Sequence, residues 1–336
     1  MINEKVCTIY DVAKEACVSP ATVSRVINEP SLVREEKRQK VQEAIKKLRF
    51  EPKVDAVINA RKTYKKIGVI APFFTQPSFM ERLKGVANVL ASKHYELVIY
   101  SIDTMEDLEN YIMTLVTTKR VDGLIFLCVT LRSNMLELLK SASFPVCFVE
   151  NEVDNFDSVI VKNLMGGQKA AEFLYGKGCR NPGFVGELSR YEYAVSATEE
   201  RFRGYSFYWA NVGIIVNPEN VWIGDFTDEK IEEVVKKLKN SKNLPDCIFC
   251  SSDVIAAKFI KFARRSEVDI PGDIKVLGYD NIELAQYVGL TSVNQNLEES
   301  GKSAAELILE RIKNPERNIC HMILDLNVVL RDTTGA

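Results

Sequence analysis

Histidine is nearly missing from this chain: there are two among 336 residues, His94 and His321. Neither stands in a motif with a Ser or Cys nucleophile, which removes the triad-type hydrolases from consideration. No Gly-rich phosphate loop follows an apolar run either; Gly166-Gly167 opens a helical pattern without the dinucleotide fingerprint. No apolar run reaches membrane-spanning length, and Met1-Ile-Asn-Glu-Lys5 lacks the basic-then-apolar layout of an export signal. The expectations are therefore no enzyme, no cofactor, no membrane and a cytoplasmic location. A disulfide framework is missing as well. The eight cysteines are scattered, several inside apolar runs, and read as reduced core thiols. Cys247-Ile-Phe-Cys250 has a suggestive spacing, but in a strand residues three apart point to opposite faces and cannot share one metal. No metal site is expected.

The charge is close to balance overall and far from balanced along the chain. Residues 1–66 hold 15 Lys+Arg against 9 Asp+Glu, and the remainder holds 29 against 37. A basic head on an acidic body fits a nucleic-acid module joined to something that is not one. A length of 336 residues suffices for two or three packed units.

The head contains the most informative stretch, Thr8 to Asn28. Thr8 is a good N-cap with Asp11 in the first turn, and Ile9, Val12, Ala13 and Ala16 fall at helical spacing. Cys17-Val18 make a turn. Ser19 then caps a second helix with Pro20 at its first position, where a missing N–H costs nothing. That helix has one apolar face, Val23, Val26 and Ile27, and a front of small polar groups with Arg25 beside them. Such a front can approach base edges in a major groove, where a guanidinium reads guanine bidentately; a solvated helical hairpin has the same pattern. A third helix, Arg34 to Leu48, would close the head with Val41, Ala44, Ile45 and Leu48.

Thr-Ile-x-Asp-Val-Ala-x-x-Ala-x-Val-Ser-x-x-Thr-Val-Ser-Arg-Val-Ile-Asn, as it stands at 8–28, resembles the helix-turn-helix of the lac repressor (LacI/GalR) family of bacterial transcription regulators. The resemblance implies that Pro20, Ala21 and Arg25 face bases. It implies that Thr8, Thr22, Ser24 and Asn28 hold phosphates, with the cap Ser19 completing the set. Two departures concern the third helix, where the family's Ser cap is Arg34 and a Thr is Lys37. The lost cap costs on the order of 1 kcal/mol. Residues 51–66 occupy the place of the family's hinge, which forms a helix on DNA and wedges a Leu into the minor groove. Here the wedge position is Asn59, with Ile58 or Val57 as substitutes, and Arg61, Lys62, Lys65 and Lys66 keep the stretch attractive to phosphate even as a plain linker.

From Ile67 onward, short apolar runs alternate with helical periodicity in two series, one from Ile67–Ala71 to Val146–Val149 and one from Gly166–Tyr175 to Leu297–Ile312. Alternation over this length argues for parallel α/β sheets in two lobes, with ligands at the strand carboxyl ends. This layout resembles the two-lobed, type I periplasmic-binding-protein-like core of the same family. Val276-Leu-Gly-Tyr-Asp280-Asn resembles the family's strand that delivers an effector-binding Asp, and Arg201-Phe-Arg-Gly204 resembles its effector-anchoring Arg-x-x-Gly. Ser78 stands where an aromatic wall is usual, Phe79 and Phe226 keep aromatic positions, and Ser252 replaces a common Asn. The expected organisation is an all-α head (1–50), a hinge (51–66) and an α/β effector-binding and dimerisation core (67–336). The resemblance implies a homodimeric repressor on a palindromic double-stranded DNA operator, tuned by a sugar-like small molecule held by Ser78, Phe79, Arg201, Phe226, Ser252 and Asp280. A regulator with a vestigial cleft answering to a protein partner shares these motifs. A solute-binding protein shares only 67–336.

Overall fold

The computed structural model describes residues 8–28, 33–48, 50, 64–188, 191–240 and 243–335. Backbone contacts divide the chain into two units, Met1–Lys66 and Ile67–Ala336. The hinge positions Ile58 and Asn59 lie outside the described residues.

The first unit contains α1 (Ile9–Glu15), α2 (Pro20–Asn28) and α3 (Glu35–Leu48). At the start of α1 the Thr8 N–H and hydroxyl both donate to the Asp11 carboxylate, at 2.8 and 2.7 Å. The turn to α2 passes through Cys17 in the left-handed region (φ 52°), which stops α1 at once. The Ser19 hydroxyl accepts the Thr22 N–H at 3.2 Å. Val12, Ala13, Ala16, Val23, Val26, Val41 and Ala44 form the buried core. The cap missing at Arg34 is offset by Glu35 and Glu36 in the first turn of α3, where carboxylates meet the positive end of the helix dipole.

The second unit folds as two lobes of the same design. The N-lobe runs β1 (Lys66–Ala71), α4 (Pro77–Ser92), β2 (Glu96–Ser101), α5 (Met105–Thr118), β3 (Gly123–Leu127), α6 (Ser133–Lys140), β4 (Val146–Val149) and β5 (Asp157–Ile160). The C-lobe begins with α7 (Asn163–Gly176), β6 (Pro182–Glu187), α8 (Ala197–Asn211), β7 (Val221–Gly224), α9 (Asp228–Lys239) and β8 (Cys247–Cys250). It continues with α10 (Asp253–Arg265), β9 (Lys275–Asp280), α11 (Glu283–Tyr287) and β10 (Thr291–Asn294). The chain then returns through α12 (Leu297–Lys313), β11 (His321–Ile323) and β12 (Asn327–Val329). The sheets read β2-β1-β3-β4-β5-β11 and β7-β6-β8-β9-β10-β12, the same order position by position. The central pairings are parallel in both; at the last position β11 runs parallel to β5 and β12 antiparallel to β10.

One sequence expectation is corrected here. The Leu297–Ile312 pattern follows the second series in the chain, yet α12 packs on α4 and on β3, β4 and β5 of the N-lobe. Its Ala304, Ala305 and Ile308 fill the core beneath Ile67, Val69 and Ile125. Periodicity reports the buried stripe of a helix but not which sheet receives it.

Each lobe is locked by one close helix pair. A Cβ on Gly301 of α12 would lie 1.9 Å from the Arg82 carbonyl oxygen of α4, and one on Gly85 would lie 2.0 Å from that of Glu298. In the C-lobe, Gly204 of α8 meets the Leu164 oxygen and Gly167 of α7 meets the Arg201 oxygen, both at 1.9 Å. Thus α12 serves the N-lobe as α7 serves the C-lobe.

Candidate functional site

In the head, α2 turns Val23 and Val26 inward and leaves Ala21 and Arg25 exposed, with Thr22 and Ser24 half-buried beside them. The Ser19 and Thr22 hydroxyls lie 2.9 Å apart, so the start of α2 is a fixed polar edge. Thr8 sits exposed at the start of α1. Helix α2 therefore presents a small, partly polar surface with one guanidinium, backed by a sealed core.

In the second unit, a cleft of about 520 Å³ opens between the lobes at the strand carboxyl ends. Of the six residues singled out from sequence, Ser78, Phe79, Arg201, Ser252 and Asp280 line it. Phe226 does not, and the reason is local. Thr227 caps α9, so Phe226 precedes the cap and joins Ile231 in the same buried cluster, the arrangement of a hydrophobic staple. Its neighbour Asp225 reaches the cleft instead. The aromatic wall comes from Phe73 and Tyr191, whose ring centroids are 5.0 Å apart. Tyr191 belongs to a C-lobe segment that reaches onto the N-lobe. There the Tyr193 carbonyl accepts the Thr130 N–H at 2.7 Å, the Tyr193 hydroxyl donates to the Asp103 carbonyl at 3.2 Å, and Glu192 pairs with Arg132 at 2.8 Å. Ser252 spends its hydroxyl partly on capping α10, accepting the Ile255 N–H.

The cleft floor is a closed ring of six side chains. Arg82 pairs with Glu150 at 3.1 Å, and Glu150 accepts the Asn163 amide N–H at 3.1 Å. The Asn163 carbonyl oxygen accepts from Arg201 Nε at 2.9 Å, and Arg201 faces Asp280 at 4.0 Å. Asp280 accepts the Gln295 amide N–H, and the Gln295 oxygen accepts from Arg82 at 3.2 Å, which closes the ring. Both ion pairs are nearly sealed from solvent, with side-chain exposures of 4% and 3% for Arg82 and Glu150 and 8% and 7% for Arg201 and Asp280. Arg201 also donates to the Ser251 carbonyl at 2.6 Å and stacks on the Tyr279 ring at 3.7 Å. Asp280 ends β9 in a strained conformation (φ 112°). Burial pushes its carboxyl from 3.8 up to about 6, against the pull of Arg201 and Arg82.

Arg82, Glu150, Asn163 and Gln295 escaped the sequence reading because their contacts join residues far apart; Arg82 and Gln295 are 213 positions apart. One signal was present. Arg82-Leu-Lys-Gly85 repeats the Arg-x-x-Gly spacing of Arg201-Phe-Arg-Gly204.

Among the described residues, one group brings three metal-capable side chains together: Cys179, Asp246 and Cys247, with ligand atoms within 4.8 Å of one another. It lies at the amino ends of β6 and β8, opposite the cleft, and the Asp246 carboxylate already accepts the Arg180 and Asn181 N–H groups at 2.5 and 3.0 Å. Cys250 packs in a different core cluster from Cys247, as opposite strand faces require. No helix among the described residues is long and apolar enough to cross a membrane.

Residues 8–53 match the model of bacterial regulatory proteins of the lacI family, and residues 171–334 match a periplasmic binding protein-like domain. A transcriptional repressor PurR of Aliivibrio salmonicida is 32% identical over 323 residues, covering 94% of this chain and 96% of its own length. The lac repressor dimer bound to operator and the anti-inducer ONPF superposes with a TM-score of 0.81 at 23% identity, covering 99% of this chain and 100% of that one. A complex of the regulator CelR with cellobiose reaches 0.68 at 24% identity, covering 97% and 99%. With a helix-turn-helix head, a two-lobed core and a repressor aligned along nearly its whole length, the chain belongs to the lacI family of DNA-binding transcriptional repressors.

Proposed function

We propose that the protein acts in the cytoplasm as a homodimer that lays two α2 helices in successive major grooves of a palindromic operator. Pro20, Ala21 and Arg25 face bases, while Thr8, Ser19, Thr22, Ser24 and Asn28 hold the phosphate backbone and set register. The hinge around Ile58 and Asn59 approaches the operator centre. A sugar-like molecule in the cleft, touching Ser78, Phe79, Arg201, Ser252 and Asp280, biases lobe closure and so operator affinity; DNA must shift effector affinity by the same factor. Support comes from the lac repressor, a dimer on its operator with an anti-inducer, and from CelR with cellobiose.

The observation that carries the reading is α2, apolar and sealed behind, with Ala21 and Arg25 exposed in front. The test is a randomised-DNA binding selection with the full chain. A recovered palindrome supports the reading, and binding that is salt-sensitive and sequence-independent alone refutes it. Arg25→Ala is expected to relax preference at one base position per half-site by ~1–3 kcal/mol. An unchanged selection profile would remove Arg25 from the base-reading set.

A further inference from the structure

The base of the C-lobe, at the strand ends away from the cleft, holds two buried sulfurs that the reading of the cleft does not use. Cys179 lies in the short loop between α7 and β6, and Cys247 opens β8; their exposures are 1% and 0%. Strands β6 and β8 are parallel neighbours with Pro182 opposite Cys247, so the loop and the start of β8 lie side by side. Asp246, one residue before β8, completes the group: its carboxylate and the two sulfurs all lie within 4.8 Å of one another. Backbone bonds fix Asp246 on both sides. Its N–H donates to the Asn181 carbonyl and its carbonyl accepts the Lys275 N–H, both at 3.0 Å. Cys250, three residues further along β8, packs in the other core cluster and takes no part. The Cys247-x-x-Cys250 spacing therefore offers no pair, and the fold supplies Cys179 in its place.

From this we infer that Cys179, Asp246 and Cys247 bind one thiophilic divalent cation of the zinc class. With bonds of about 2.3 Å to sulfur and 2.0–2.2 Å to oxygen, the ligands of one zinc ion stand roughly 3.5–4 Å apart. Side-chain rotation brings this group to that spacing. Two sulfur ligands select against magnesium and calcium, which take oxygen. The existing hydrogen bonds of Asp246 do not compete with the ion. One carboxylate oxygen accepts the Arg180 N–H and the other the Asn181 N–H, and each keeps a second lone pair for a metal. Such outer partners orient a ligand. Two thiolates and a carboxylate around a divalent ion leave one net negative charge, and two cations stand by to offset it. The Arg180 guanidinium is held by the Tyr175 and Cys179 carbonyls at 3.0 and 2.6 Å, and Lys275 opens β9 opposite Cys247. Asp246 is only half-buried, so its side admits the ion and the water that completes four-coordination. Because the three ligands converge only in the folded chain, the bound ion ties the loop after α7 to β8 and stabilises the C-lobe.

The experiment titrates the reduced, chelator-stripped full chain with zinc and with cadmium, whose thiolate complexes absorb in the ultraviolet. The parent carries Cys7→Ser, Cys17→Ser and Cys320→Ser, which leaves Cys128, Cys147, Cys179, Cys247 and Cys250, all buried. The expected result is one ion per chain and a cadmium–thiolate band that zinc displaces. X-ray absorption of the zinc-loaded parent should report two sulfurs at about 2.3 Å together with oxygen. Cys179→Ala and Cys247→Ala should each abolish tight binding, and Cys250→Ala should leave it unchanged. Asp246→Asn should weaken binding by roughly tenfold or more, since even the outer partners of a metal carry about that much. An absorption spectrum showing oxygen and nitrogen alone overturns the proposal, and that measurement depends on no variant of the site. Absence of saturable binding overturns it too, as does tight binding that survives Cys179→Ala. Equal affinity in the parent and Asp246→Asn overturns the three-ligand site.

Discussion

Gly204→Ala is expected to destabilise the protein by about 3 kcal/mol or more, at the upper end of what overpacking costs. The added methyl would stand 1.9 Å from the Leu164 carbonyl oxygen, 2.8 Å from its carbon and 3.1 Å from its Cα. All three atoms are backbone, so no side-chain rotation relieves the clash, and α7 and α8 must separate. Gly301→Ala should act alike in the N-lobe, where the obstacle is the Arg82 backbone at 1.9 Å. The separation also disturbs the cleft floor, because Arg201 projects from α8 onto Asn163 of α7. Gly176→Ala provides the contrast: it is the last residue of α7, with nothing within 4 Å of the added carbon. There the better helix propensity of alanine should stabilise by several tenths of a kcal/mol. Denaturant midpoints check all three. A Gly204→Ala midpoint equal to wild type would show that the helices are not in backbone contact.

How much of this could be read in advance depended on the range of the interaction. The head was legible because its determinants are local: Thr8 and Asp11, Ser19 and Thr22, and the stripes of α1 and α2 all act within a few residues. The alternation of the core gave two parallel sheets for the same reason. Three-residue strands such as β11 and β12 carry too little pattern to be seen, and without them the return of α12 to the N-lobe is hidden. Phe226 shows a different limit. An aromatic residue before a capped helix serves equally as a platform or a staple, and the choice lies with Ile231, which the motif does not include.

The ring marks where legibility ended. Arg201 and Asp280 stand in motifs and were found, whereas their counterparts Arg82 and Glu150 were not, although Arg82-x-x-Gly85 was visible. A repeated Arg-x-x-Gly becomes informative only once two sheets of equal order place both arginines after corresponding strands. Ser78 acquires a role by the same route, since its backbone carbonyl accepts from Arg82.

Asp280 gives the pH dependence a definite sign. Between pH 4 and 6 the stability of the wild type, taken relative to Asp280→Asn, is expected to fall by about 2 kcal/mol. The fold raises the carboxyl from 3.8 to about 6, so in this window the native state keeps a proton that the unfolded chain has released. Stability therefore decreases as pH rises through the window, and the difference levels off by about one pH unit above it. Arg82 and Arg201 limit the rise, while Glu150 adds to it. Asp253, itself pushed up by burial and then by the nearby Asp280 charge, titrates with it, so the slope belongs to the pair. The variant keeps the shape of the side chain and removes the charge, so groups that do not interact with Asp280 cancel in the difference, which reports Asp280 together with its effect on Asp253. A difference that stayed flat or rose between pH 4 and 6 would mean that Asp280 is ionised without penalty. The same proton governs the cleft. Above about pH 6 Asp280 is an acceptor opposite Arg201; below it the carboxyl holds a proton and the attraction across the 4.0 Å gap is lost. On the proposed reading of the cleft as an effector site, ligand affinity should accordingly weaken on acidification through pH 6 in the wild type and not in Asp280→Asn, which ties the strained end of β9 to that reading.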